Sequence, residues 1–194
     1  MLPLTSNARN WLLVSARSAV EAAARGEVPV ISEIPPEIPA SDRPWLEQPH
    51  PVFVSLHLEG RLRGCVGHVG LEIPLRCLVP EMAYAAACED ARFEPVTAEE
   101  APSIEIEISI LSPFFAIRPE EIIPGTHGLI VRQGRRRGIL LPCVAAEHNW
   151  DAVRFLCETC RKAGLAPDAW QRGAIIEAFT AEVIKQGALA GASP

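Results

Sequence analysis

The order of helical and strand-like segments constrains the fold of this chain more than any other feature of its sequence. Residues 104–110 alternate isoleucine with polar side chains, which is typical of a half-buried strand. Two pairs of short strand-like segments flank glycine-containing turns and are predicted to form hairpins. Helices and strands do not alternate regularly, so the sequence predicts an α+β fold with a mainly antiparallel sheet and flanking helices. We predict helices over 5–25, 73–90 and 150–163, with Pro80 kinking or splitting the second, and strands over 52–58, 61–66, 104–110, 128–133, 138–141 and 178–184.

A proline-rich stretch, residues 27–51, separates the first helix from the first hairpin. It holds seven prolines, which exclude a regular helix or a central strand, so we predict an extended connector. Because this connector also carries apolar side chains, we expect it to be pinned against the body of the protein. We therefore expect a single domain over residues 1–194. The apolar side chains of the connector are Ile31, Ile34, Ile38 and Trp45.

The composition excludes several functional classes. The 194 residues carry a net charge of −6, which argues against a broad nucleic-acid-binding surface, and the basic cluster Arg135–Arg137 is short. No apolar run approaches the roughly 18 residues that a membrane span needs, and no signal peptide is evident. We therefore expect a cytoplasmic protein that binds neither membranes nor nucleic acid. Its six cysteines are expected to be reduced, several of them buried.

The first predicted hairpin carries the strongest chemical signal, since Cys65 lies there between Gly64 and Gly67. Glycines on both sides leave the backbone open, so that a second molecule can approach the sulfur closely. Arg61 and Arg63 precede the cysteine, and nearby arginines favour a thiolate. We therefore predict that Cys65 is catalytic and that the two arginines and the two glycines bind the substrate.

The register of this hairpin decides which side chains surround the cysteine. A two-residue turn places Cys65 opposite Val54 and puts Arg61 and Arg63 on the same face of the sheet. His57 then points to the other face, unless a β-bulge shifts the register by one residue.

A nucleophilic cysteine also needs a group that carries its proton. His68 lies three residues beyond Cys65, and His127 lies in a glycine-flanked turn, so both are predicted as catalytic proton carriers. The backbone N–H groups of Gly64 and Gly67 would stabilise an oxyanion. The alternative interpretation is structural: glycine and cysteine are small enough for a tight strand, and each histidine is hydrogen-bonded in a turn.

Other polar patterns are assigned to structural roles. Cys157 and Cys160 lie three residues apart on a predicted helix, but with Cys143 and His148 they make an irregular set for zinc. Packed thiols are therefore favoured, and neither a metal nor a cofactor is predicted.

Two pairs of charged residues are likewise given structural roles. Glu105 and Glu107 are predicted to lie on the solvated face of their strand. Asp90 and Arg92 are predicted to pair locally near a helix end.

The segment Leu62–Gly67 resembles the signature, usually Leu-Arg-Gly-Cys-Ile-Gly, of the AMMECR family, whose bacterial and archaeal members are called AmmeMemoRadiSam system protein A. The similarity covers most of residues 5–184. Two positions depart from the family pattern: Ala91 stands where proline is common, and Cys143 where glutamine is common. Further matching segments are Ala85–Ala87, Asp90–Phe93, Ile106–Leu111, Gly125–Val131, Leu140–Pro142, Trp150, Phe155–Leu156 and Lys162–Leu165.

This resemblance implies a two-lobed α+β fold, with a larger and a smaller lobe packed intimately. It also implies an association with Memo-like proteins and radical-SAM enzymes, and it implies no defined reaction. Two hypotheses follow. In the first, the protein is an enzyme or enzyme component whose Cys65 acts on a small anionic molecule. In the second, it is a non-catalytic adaptor in which the glycine–cysteine strand shapes a groove for a protein partner. An accessible thiol in a concave site favours the enzyme, whereas a buried thiol beside an exposed apolar groove favours the adaptor.

Overall fold

A computed structural model describes residues 4–185 and divides the chain into two compact units. One unit comprises the chain up to Ile110 together with the segment that starts at Glu182, and the other comprises Leu111–Ala181. Each unit has a four-stranded antiparallel sheet and helices, so the predicted α+β class is confirmed. The described helices are α1 (Ser6–Ala24), α2 (Arg43–Glu47), α3 (Leu75–Cys88), α4 (Pro142–Glu147) and α5 (Ala152–Lys162). The described strands are β1 (Val52–Leu58), β2 (Arg61–His68), β3 (Glu105–Leu111), β4 (Phe115–Ala116), β5 (Gly128–Gln133), β6 (Arg136–Leu140), β7 (Ile175–Phe179) and β8 (Ala181–Lys185).

The first unit packs α1 and α3 against one face of its sheet. The strand order is β2-β1-β3-β8, so β2 lies at an edge. Every second residue of β1 and β3 is buried on the helix-facing side, as the alternation in the sequence predicts. Burial of this face removes a continuous apolar surface from water and supplies the main stabilisation of the unit. The core of the unit includes Leu12, Val20, Leu78, Val79, Val54, Leu56, Ile106, Ile108 and Ile184.

Helix α1 confirms the helix predicted over 5–25. Thr5 caps its N-terminus, since the Thr5 hydroxyl oxygen accepts the N–H of Ala8 at 3.4 Å. It ends before Gly26, which adopts a φ of 68° that glycine tolerates and other residues rarely do.

Helix α3 is continuous from Leu75 to Cys88, so the prediction that Pro80 splits this segment is wrong. Pro80 lies inside the helix and is buried. Proline removes one backbone hydrogen bond, the one that would reach the carbonyl of Arg76. Leu75, Leu78 and Ala83 are fully buried on either side of it, and this packing holds the helix together through the missing bond.

Strand β2 and helix α3 come very close together at Gly64. A Cβ atom on Gly64 would lie 2.0 Å from the carbonyl oxygen of Ala86. The neighbouring residues on the helix, Ala83 and Ala87, are also small and buried, and they permit this approach. The packing within the first unit is therefore enough to require glycine at position 64.

The connector over 27–51 is mostly irregular, but the prediction that it contains no helix is wrong for α2. Pro44 lies in the first turn of that helix, where a missing N–H costs no helical hydrogen bond. Ile31 is 40% exposed and does not pin the connector. The other apolar side chains pack on the first core as expected: Ile34, Ile38 and Trp45.

The second unit has the strand order β4-β7-β5-β6. The hairpin predicted around Gly134 is confirmed as β5 and β6. Helix α5 packs against these two strands and confirms the helix predicted over 150–163. The single strand predicted over 178–184 is instead two strands, because the chain leaves one sheet after Phe179 and enters the other at Ala181. Residues buried in this unit include Leu129, Phe155, Leu156, Ala178 and Phe179.

Within residues 4–185, none of the helices is long and apolar enough to span a bilayer.

Replacing Gly64 with alanine is expected to destabilise the protein by about 1–3 kcal/mol, because the new methyl group would overlap a helix carbonyl that cannot rotate away. Urea unfolding measures the effect. Gly67→Ala is a matched comparison, because its Cβ would lie 2.2 Å from the side chain of Phe53. A smaller side chain there, in Phe53→Leu, should therefore relieve the clash of Gly67→Ala. The combination of Gly64→Ala with Ala86→Gly should stay destabilised, and rescue by Ala86→Gly would contradict the backbone clash.

His50 provides a second test of the packing in the first unit. Its ring stacks on Trp45 with centroids 4.0 Å apart and planes 12° from parallel. Its Nε2 atom is buried and has no hydrogen-bond partner among the described residues. Burial therefore lowers the pKa of His50.

The protein is expected to lose stability as the pH falls below about 6.5, since the unfolded chain then binds a proton at His50 that the fold disfavours. His50→Phe keeps a ring on Trp45 and should reduce this loss. Unfolding by urea between pH 7.5 and 5 measures it. The control is His148→Phe, which likewise replaces an imidazole stacked on a tryptophan, Trp150, with a phenyl ring, and the effect of His50→Phe is read relative to it. Equal pH dependence in the wild type and His50→Phe would refute the assignment.

Candidate functional site around Cys65

A β-bulge in the first hairpin sets the surroundings of Cys65. Near the turn, Leu58 pairs with Arg61 as predicted, but the register shifts between Leu56 and His57 and leaves Arg63 without a partner on β1. Cys65 therefore pairs with Ser55, and the prediction that it lies opposite Val54 is wrong.

The shift moves Cys65 to the sheet face that carries Ser55 and His57, away from the helices. His57 therefore shares a face with Cys65, as expected for a hairpin whose register is shifted by a β-bulge. The predicted face that joined Arg61, Arg63 and Cys65 does not form, because a one-residue slip reverses the side of every residue beyond it.

The side chain of Ser55 contacts the sulfur directly. Its hydroxyl donates to the Sγ atom of Cys65 at 3.3 Å. Ser55 is 7% exposed, whereas Cys65 is partly exposed. The hydroxyl of Ser55 is therefore shielded from water, whereas the sulfur to which it donates is partly accessible.

Asp90 and Arg92 bind the main chain of Cys65 along the open edge of β2. One carboxylate oxygen of Asp90 accepts the N–H of Cys65 at 2.9 Å. The guanidinium of Arg92 donates to the carbonyl oxygen of Cys65 at 3.1 Å. Because both main-chain groups point away from β1, Ser55 and Cys65 form a non-hydrogen-bonded pair, in which facing side chains lie closest.

Asp90 and Arg92 also bind each other, as the sequence predicts. Nε and Nη2 of Arg92 donate to the two carboxylate oxygens at 2.8 and 2.5 Å. Hydrogen bonds from Arg92, followed by the bond from the Cys65 N–H, hold the pKa of Asp90 well below its usual range. The pKa of Arg92 is raised by hydrogen bonding to Asp90 first, with smaller contributions from the charge of Asp90 and from Cys65. We call this pair with its two bonds to Cys65 the edge clamp.

The arginines singled out from the sequence lie elsewhere. Arg63 donates to both carboxylate oxygens of Glu100, at 3.1 and 3.0 Å, and to the carbonyl oxygens of Glu94 and Pro95. Its charge is thereby matched by Glu100, and its donors hold the bulge against the loop after α3. Arg61 is exposed beside the hairpin turn.

The two glycines do not leave the backbone open, contrary to the prediction. The space beside Gly64 holds the Ala86 carbonyl, and the space beside Gly67 holds the ring of Phe53, 2.2 Å from an ideal Cβ position. Both are therefore accounted for by contacts inside the protein.

The two histidines predicted as proton carriers have hydrogen-bond partners of their own. His68 faces Val52 in the register, on the opposite side of β2 from Cys65, and its Nε2 lies 3.0 Å from a carboxylate oxygen of Glu72. That hydrogen bond lowers the pKa of Glu72. His127 belongs to the second unit, where its Nδ1 accepts the N–H of Ile123 at 3.1 Å. Within the first unit, the structure does not bring the ring of His68 into the cluster of Ser55, Cys65 and the edge clamp.

Three other thiols are disfavoured as thiolates by their surroundings. Burial raises the pKa of Cys77, Cys88 and Cys160. No group of three or more His, Cys, Asp or Glu side chains in residues 4–185 is placed to hold a metal ion.

Sequence reasoning missed two features of this site. The roles of Ser55 and of the edge clamp depend on the bulge and on the loop after α3, 25–27 residues from Cys65, and the spacing of the hairpin carries no signal for either. The prediction that Glu107 lies on a solvated face is also wrong. Its side chain is only 12% exposed and forms an ion pair with Lys185 at 2.8 Å.

The sequence and fold match known proteins over most of their length. The profile of the family described as AMMECR1 matches residues 13–184. Protein Mbar_A1807 of Methanosarcina barkeri is 39% identical over 183 residues, covering 89% of this chain and 91% of the relative. Protein PF1979 of Pyrococcus furiosus is 38% identical over 190 residues, covering 91% and 87%. The crystal structure of uncharacterized protein PH0010 from Pyrococcus horikoshii matches with a TM-score of 0.82 and 35% identity, covering 93% of this chain and 92% of that one.

Asp90→Asn is expected to lower the free energy of unfolding by about 1–2 kcal/mol at pH 7, because the edge clamp loses its charge-assisted bonds. Since the pKa of Asp90 is depressed in the fold, this stabilisation is present above the unfolded-state value near 3.9 and is lost as the pH falls towards 2. Urea unfolding at pH 7 and pH 2.5 measures the destabilisation and its decrease in acid. Asp168→Asn removes a more exposed i,i+4 pair with Arg172 and should cost less than about 0.5 kcal/mol. If Asp90→Asn lowers the free energy of unfolding by as much at pH 2.5 as at pH 7, the assignment is contradicted.

Proposed function

This chain belongs to the AMMECR1 family, and we propose that it acts as an enzyme or enzyme component in which Cys65 is the reactive group. The observation that carries the proposal is the pair of hydrogen-bond donors at this residue. Ser55 donates directly to the sulfur, and the Arg92 guanidinium, which donates to the carbonyl oxygen of Cys65, also interacts with the charge of its side chain. Both favour a thiolate over a thiol, and the thiolate is the nucleophilic form.

We propose a small anionic molecule as the substrate. Arg92 keeps 52% of its side chain exposed although it is bound to Asp90, so its outer surface is open to an anion. Arg61 stays the second candidate contact: it is exposed at the turn of the same hairpin, but the register places it on the other face of the sheet from Cys65. Arg63 contributes through the fold instead, because Glu100 already matches its charge.

Proton transfer and partners complete this proposal. His68 and His127 stay the predicted proton carriers, and each would have to leave its present hydrogen bond to act. A cytoplasmic location, and Memo-like and radical-SAM proteins as partners, are also proposed, on the resemblance of the segment Leu62–Gly67 and the matching stretches beyond it.

The competing candidate is a non-catalytic adaptor. The observation that favours it is the filled space beside Gly64 and Gly67, since internal packing alone explains both glycines. In that case the edge clamp only covers an exposed strand edge, which would otherwise pair with other chains.

The pH dependence of alkylation by iodoacetamide separates the two candidates. Mass spectrometry on the native protein resolves all six cysteines. We expect Cys65 to react faster than Cys77, Cys88 and Cys160, with a midpoint well below the usual thiol value of about 8.5. Arg92→Gln should raise that midpoint by about one pH unit, because it leaves the negative charge of Asp90 without its partner beside the thiolate.

Two further variants control this measurement. Cys65→Ser identifies the modified site. Arg25→Gln removes an exposed arginine that, like Arg92, pairs with a carboxylate two residues away, and it should leave the midpoint unchanged. Protection of Cys65 until the protein unfolds would reject the enzyme and leave the adaptor.

A further inference from the structure

A row of polar side chains crosses all four strands of the first sheet on the face away from the helices. Cys65 of β2 pairs with Ser55 of β1, and Ser55 pairs on its other side with Glu107 of β3. Side chains of directly opposed residues share a face and lie close enough to interact. Lys185 of β8 completes the row through its ion pair with Glu107.

Ser55 is paired on its two sides with residues whose side chains can each accept its single hydroxyl proton. One is the sulfur of Cys65, to which it donates in the structure. The other is the carboxylate of Glu107, which accepts hydrogen bonds but cannot donate when ionised. Only one of them can receive the proton at a time, so the position of the carboxylate decides how well Ser55 supports the sulfur.

Lys185 determines where that carboxylate lies. Its ammonium group is 2.8 Å from the carboxylate, and its own side chain is 68% exposed, whereas that of Glu107 is 12% exposed. A carboxylate in a mostly buried position needs hydrogen-bond or ion-pair partners in place of the water that it loses. The ammonium supplies such a partner and removes the need for a bond from Ser55.

We propose that Lys185 is a positioning residue for Cys65. By holding Glu107 in the ion pair, Lys185 leaves the Ser55 proton to the sulfur and so favours the thiolate. This inference rests on the proposed function, because it concerns the reactivity of the same thiol. It assigns roles to Glu107 and Lys185, which lie 42 and 120 residues from Cys65 in the sequence.

Replacing Lys185 tests the inference through the rate of Cys65 alkylation at pH 7. Lys185→Met should slow the reaction by about three- to tenfold, because Glu107 then competes for the Ser55 proton. Adding Glu107→Gln should restore the rate, since the amide can donate to Ser55 and no longer carries a negative charge.

The background of Ser55→Ala separates this mechanism from a simple charge effect. Without the hydroxyl, Lys185→Met should change the rate by less than about 1.5-fold, while Ser55→Thr, which keeps a hydroxyl, should preserve the full effect. Glu105→Gln is the matched control, because Glu105 lies on the same face of β3 opposite His57 and should have no influence. Thermal unfolding of every variant confirms that the fold is retained.

Two results would overturn the inference. An equal loss of rate with and without Ser55 would show that Lys185 acts only through its charge, and no loss in either background would remove its role. If Cys65 reacts readily and depends on Arg92 but not on Lys185, this inference fails and the proposed function stands. If Cys65 is inert until the protein unfolds, both fail.

Discussion

The edge clamp holds the main chain of Cys65 from outside the sheet, and the rest of the site depends on it. An edge strand leaves every second N–H and carbonyl without a strand partner. At Cys65 those two groups are bound by Asp90 and Arg92, which follow directly on helix α3. The clamp thereby fixes β2 against the helix that packs on Gly64, and it holds the sulfur at the hydroxyl of Ser55. Backbone support and side-chain chemistry thus meet at one residue.

The charges around Cys65 are matched in pairs. Arg92 is bound to Asp90, and Lys185 is bound to Glu107. A site built in this way has no strong net positive field, in contrast to the cationic surroundings that the arginines of the hairpin suggest. The protonation of the thiol therefore depends on which donors point at the sulfur. Geometry, more than the number of arginines, sets the reactivity that we propose.

The hairpin shows how far sequence reasoning reaches and where it stops. The alternating pattern and the glycine turn predict both strands, and the segment around Cys65 identifies the residue on which the site is centred. The neighbours of Cys65 were not predicted, because a two-residue turn fits the local sequence equally well with or without a bulge further along. Arg63 settles the choice: its bonds to Glu100 and to two loop carbonyls hold the unpaired residue in place.

Local periodicity, turn residues and a contiguous motif are enough to predict the α+β class, most of the regular elements and the family. The residues that surround Cys65 follow from tertiary contacts and could not be predicted in this way. Ser55, Asp90, Arg92 and Glu107 reach it or its neighbours through the register of adjacent strands and the end of a packed helix. The physical reason is that a strand has the same period of two on either side of a bulge, so the choice of face depends on contacts made by residues distant in the chain.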